Sequence, residues 1–98
     1  MTLTPQEIKA QALSKIKLSM RLVTDLFDGE IGDLMDAAML DLGIAGVSNT
    51  ALTDALVLRA VTTYCRMHFG EPDQYDRLKA SYDEQKAQLR TATNYTEW

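Results

Sequence analysis

Apolar residues recur along this chain at helical spacing, and four separate runs carry the pattern. The first opens at Thr4-Pro5-Gln6-Glu7. Thr4 suits a helix cap, Pro5 suits the first helical position, and Glu7 sits where a capping box places its acid. Ile8, Ala12 and Ile16 then fall near one face, with Leu13 beside them. Met20-Arg21-Leu22-Val23 either continues this helix or connects it to the next.

The second run begins near Thr24 or Asp25 and reaches about Leu42. Ile31, Leu34, Met35, Ala38 and Leu42 keep to one helical face. Asp25, Asp28 and Glu30 occupy its first turns, where negative charge suits the helix dipole. Gly43 is the expected C-terminal stop. Ile44-Ala45-Gly46-Val47 follows as an apolar loop, and such a loop is expected to be pinned under the core or against a partner.

The clearest message lies between Leu56 and Leu89. A third helix is expected from about Leu52 to Phe69, with a broad stripe of Leu56, Val57, Ala60, Val61, Tyr64, Cys65 and His68. So wide a stripe predicts a central helix touched on more than one side. Gly70 ends it and Pro72 prevents its continuation. A fourth helix is expected from about Asp73 to Leu89. Its seam of Tyr75, Leu78, Tyr82, Gln85 and Leu89 is narrower, and its other faces are charged. So short a connection makes helices three and four an antiparallel hairpin. The pattern therefore predicts an all-α fold: a small bundle of about four helices, with a C-terminal helical hairpin and an extended tail over about residues 91–98.

Length and composition sharpen this reading. At 98 residues the chain is expected to be one domain, 1–98, without a linker, internal repeat or low-complexity tract. Hydrophobic content of 46% is ordinary for a folded protein. A chain this small gains burial by oligomerising. The formal net charge is -4, and it is unevenly spread: +2 over residues 1–20, -6 over 21–58 and zero over 59–98. No segment is a strong basic patch, which disfavours binding driven by phosphate attraction. No apolar run approaches the roughly 20 residues that span a bilayer. The polar start MTLTPQEIKAQ lacks the apolar stretch of a signal peptide. A soluble protein made in the cytoplasm is the expectation.

Candidate chemistry is sparse. Cys65 and His68 stand three apart on one helix, the spacing of a possible nucleophile and base. No orienting group or oxyanion site accompanies them, so both read as packing residues. One Cys and one His fall short of a zinc set, and no metal site is expected. The acids around Gly29 do not match a calcium loop, because Leu26 and Met35 stand where ligands would be needed. Gly43, Gly46 and Gly70 form no phosphate-binding loop. Arg59, Arg66 and the Arg77/Lys79 pair are candidate phosphate contacts, on helices otherwise unlike a recognition helix. No catalytic residue and no cofactor is expected.

The candidate partner-facing residues are Tyr95 and Trp98 in the tail, with Ile44 and Val47 in the apolar loop. Tyr and Trp are enriched where interfaces concentrate their binding energy. The alternative is that the tail folds back onto its own bundle or stays loose.

Two stretches carry a family resemblance. Residues 37–47, AAMLDLGIAGV, and 60–72, AVTTYCRMHFGEP, closely resemble the head-tail connector (adaptor, DNA-packaging) proteins of tailed bacteriophages. Residues 75–82, YDRLKASY, and the terminal NYTEW resemble that family too, so the similarity covers about residues 25–98. The resemblance implies a small helical bundle that assembles with itself as a homo-oligomeric ring under the portal protein. Such a ring extends the DNA channel and offers a docking surface to the next head-completion or tail protein. It also implies residence in the virion neck, with DNA passing through without sequence-specific binding and no membrane partner. Two other readings compete: a small helical regulator that binds nucleic acid or a host protein, and a thiol enzyme using Cys65.

Overall fold

A computed structural model describes residues 2–48, 51–70, 72–92 and Tyr95. Those residues form four helices and no strand: α1 (Pro5–Ser19), α2 (Asp28–Ile44), α3 (Ala55–His68) and α4 (Tyr75–Thr91). The all-α expectation holds.

Each helix boundary has a local cause. The Thr4 hydroxyl accepts from the Glu7 amide at 3.1 Å, and the Glu7 carboxylate accepts from the Thr4 amide at 3.3 Å, completing the expected capping box. α1 stops at Met20 because Arg21 turns left-handed, with φ 58°. The Arg21 amide bonds the Leu18 carbonyl and the Leu22 amide bonds the Lys17 carbonyl. That pair of bonds is a Schellman termination, with an arginine where glycine is usual.

α2 starts later than its acids suggest. The Thr24 hydroxyl accepts from the Leu26 amide, and the Asp25 carbonyl accepts from the Asp28 amide. These local bonds make a turn of the segment expected to open the helix. Lys17 clamps the turn to α1, with its ammonium 2.8 Å from both Asp25 and Asp28. α2 also runs past Gly43. Gly46, at φ 103°, takes the left-handed position instead. Its amide bonds the Gly43 carbonyl while the Val47 amide bonds the Leu42 carbonyl, a second Schellman ending.

α3 starts at Ala55 rather than near Leu52, because Asp54 caps it. One Asp54 oxygen accepts from the Leu56 and Val57 amides at 2.9 and 3.2 Å. Gly70, at φ 66°, lets the chain leave the helix. α4 lies two residues further on than its seam suggested, from Tyr75 to Thr91.

α3 is the central helix. It packs against α4 most extensively, then α2, then α1. Its buried side is Val57, Ala60, Val61, Thr63, Cys65 and Met67. Into this side pack Ala12 and Ile16 of α1, Ile31, Met35, Ala38 and Leu42 of α2, and Tyr82 and Leu89 of α4. Two members of the expected stripe, Leu56 and His68, lie toward solvent. The molecule is flat, 41 × 40 × 17 Å. A slab less than about two helix-packing distances deep leaves much of each helix uncovered.

Candidate functional site

The Cys65 thiol is fully buried among apolar neighbours, and that burial pushes its pKa up to about 12. A neutral thiol is a poor nucleophile. His68 lies on the outside, its ring 4.4 Å from Tyr64 and 6.3 Å from Tyr75. No hydrogen bond joins Cys65 to His68 among the described residues. Those residues also contain no cluster of three or more metal-ligating side chains.

The strongest polar tie is structural. The Tyr82 hydroxyl of α4 donates to Asp41 of α2 at 2.5 Å, and Lys86 approaches the same oxygen at 3.2 Å. Lys86 also lies over the Tyr82 ring, 5.1 Å from its centre. Burial favours the neutral Asp41 carboxyl, but the bonds from Tyr82 and Lys86 outweigh it, so its pKa lies below the ordinary carboxylate value. Burial and the Asp41 bond push the Tyr82 hydroxyl in the opposite direction. Nothing local in the sequence marks this pairing, because its members stand 41 and 45 residues apart.

The candidate partner residues separate. Tyr95 does not extend outward. It is half-buried against the core, its hydroxyl donates to Asp54 at 2.8 Å, and its carbonyl accepts from the Ser48 amide at 2.7 Å. The extended-tail expectation therefore fails at Tyr95, because Asp54 and Ser48 supply hydrogen-bond partners on the chain's own bundle. The signal available in the sequence was Asp54, an N-cap residue ahead of an apolar helical run. Trp98 lies outside the described residues. Val47 is 2% exposed and belongs to the chain's own core, because the α2 termination folds it inward. Ile44 is 86% exposed.

Ile44 has company. Leu40, one turn before it on α2, is 70% exposed. The row continues toward the start of the helix through the exposed Asp36 and Asp33. At 100° per residue these four fall on the side of α2 opposite Ile31, Met35, Ala38 and Leu42. Leu18, Val23 and Leu26 form a second exposed apolar group around the α1–α2 connection.

α3 has a solvent row of its own. Arg59, Thr62 and Arg66 stand at i, i+3 and i+7, opposite its buried side. They edge a groove between α3 and α4. Beginning at Leu56 and Leu89, it passes Arg59, Ser81 and Gln85, then opens against Arg21 at the end of α1. None of the ion pairs among the described residues uses Arg21, Arg59 or Arg66.

The arrangement thus offers surfaces rather than a reaction centre. In a comparison with known proteins, the family model described as "Phage connector protein" fits residues 12–96. No curated protein and no solved structure gives a match.

Proposed function

The chain belongs to the phage connector family, whose role at the phage neck is structural, and from that premise we propose that it is a ring-forming adaptor of the virion neck. In this reading copies of the chain close into a ring beneath the portal protein and surround the path of the DNA. The ring presents its far side to the next head-completion or tail protein.

The observation that carries the reading is the exposure of Leu40 and Ile44 on a helix whose other face is completely packed. A structural role in which those side chains meet another protein accounts for them. The flat subunit favours edge and face contacts with neighbours over a self-sufficient globule. The net charge of -4 also suits a channel wall that does not retain DNA by phosphate attraction. A chain that stays clear of sequence-specific contacts lets the genome slide past.

Cryo-electron microscopy of particles carrying this chain tests the proposal. The expected density is a closed ring of four-helix subunits directly below the portal. Absence of the chain from purified particles, or its presence only as isolated copies, would end the ring reading.

A further inference from the structure

We propose that the outer row of α2 on one copy docks into the α3–α4 groove of the next copy, head to tail, with acids against arginines at one end and apolar side chains together at the other. The inference rests on the ring reading and adds to it the two surfaces that meet.

Charge complementarity selects the occupant. Arg21, Arg59 and Arg66 edge the groove and enter no ion pair within the described chain. On α2, Glu30 and Asp33 are exposed acids that likewise enter no ion pair. Both sets are exposed, and no ion pair joins them among the described residues. They can meet between two chains.

The spacings agree as well. Asp33 and Ile44 stand about 16 Å apart along α2, and Arg66 and Leu56 about 15 Å apart along α3, at 1.5 Å of rise per residue. With Asp33 at Arg66, Ile44 arrives at Leu56, which is 40% exposed at the end of the groove, where Leu89, Glu84, Gln85 and Gln88 also line it. A Cβ on Gly29, Gly32 or Gly43 would meet nothing of its own chain within 4 Å, so packing inside the monomer does not require these glycines. Two different patches of one surface in mutual contact make a heterologous interface, the kind that closes into a ring when the rotation permits.

The test uses the full chain and sedimentation velocity over a range of ionic strength. Two charge-reversed proteins are compared with the wild type: Arg21→Glu with Arg66→Glu, and Glu30→Lys with Asp33→Lys. All four positions are exposed, so circular dichroism melts should match the wild type and exclude misfolding. The wild type is expected to associate beyond a monomer and to dissociate as salt rises, since exposed charges are screened over about 10 Å at 0.1 M. Each reversed protein alone should associate at least about tenfold more weakly. An equimolar mixture should recover association, because each reversed row then meets its complement.

Wild-type association that neither reversal weakens would overturn the interface and leave the ring reading standing. Loss in both variants without recovery on mixing would show that the two rows do not face one another. If the arginine variant keeps its self-association but loses salt-dependent retention of duplex DNA, the groove serves phosphates and the proposal is wrong. A wild type that stays monomeric at every concentration and salt also overturns the interface, while a ring in particle density would still support the neck reading.

Discussion

Tyr95 holds the same carboxylate that caps the central helix. Its hydroxyl bonds one oxygen of Asp54 at 2.8 Å, and the other oxygen receives the first amides of α3. The Tyr95 bond and the two helix amides all hold the Asp54 pKa below its ordinary value. Asp54→Ala should therefore lower the thermal midpoint more than Tyr95→Phe, since it removes cap and tether together. The double variant should melt close to Asp54→Ala alone, because the tether has no other acceptor. Additive losses in a double-mutant cycle would show that Tyr95 acts elsewhere.

The Tyr82–Asp41 bond sets an acid limit. Asp41 has a depressed pKa in the folded chain, so its contribution is present above the unfolded carboxylate value and is lost as pH falls through the folded one. Tyr82→Phe should cost about 1–2 kcal/mol at neutral pH, the scale of a part-exposed hydrogen bond to a charged group. Urea melts should show that difference shrinking below the ordinary carboxylate range. A difference that persists at low pH would assign the loss to packing.

Cys65→Ser should cost about 1–3 kcal/mol, the usual penalty for a hydroxyl in an apolar site. Assembly should be unaffected. The wild-type thiol should resist alkylation until the chain is unfolded. Stability should also fall as pH rises from about 9 toward 12, because the unfolded thiol ionises while the buried one stays neutral. Rapid labelling of native protein at neutral pH would contradict the burial.

Leu42 and Leu78 should separate sharply. Leu42 is fully buried, so Leu42→Ala should cost about 2–5 kcal/mol in denaturant melts. Leu78 is half-buried at the α3–α4 groove, and Leu78→Ala should cost only about 1 kcal/mol. Equal losses would mean that the groove is closed in solution.

Arg21 carries backbone strain that glycine relieves. A left-handed conformation costs an ordinary L-residue about 1–2 kcal/mol. Gly also loses more chain entropy on folding, so Arg21→Gly should gain a smaller amount, about 0.5–1 kcal/mol. A lowered thermal midpoint would show that the arginine side chain stabilises this turn more than its backbone strains it.

The parts of this fold that were readable in the sequence depend on neighbours within a turn or two. Thr4, Pro5 and Glu7 announce α1, and Ile31, Met35, Ala38 and Leu42 announce the buried face of α2. The α3–α4 hairpin follows from one stripe, one glycine and one proline. Long-range contacts were hidden. Asp41 meets Tyr82, and Asp54 meets Tyr95, each across 41 residues, and no periodicity encodes such meetings. Tyr95 therefore read as a sticky end when it is an internal tether. Val47 read as a partner contact because nothing local says that Gly46, rather than Gly43, would reverse the chain. Ile44 reads as an apolar loop residue, but α2 continues through it and puts it in one row with Leu40, Asp36 and Asp33.

The glycines of α2 have a kinetic consequence. Each lowers helix propensity by up to about 1 kcal/mol, and the monomer offers no compensating contact at those positions. Amide protons along α2 should therefore exchange with solvent sooner than those of α3, which is buried by three neighbours. In the proposed ring, a surface that breathes before it is covered would become ordered when a neighbour docks. Early contacts between copies would then be short-lived, and a misplaced subunit would leave before the circle closes.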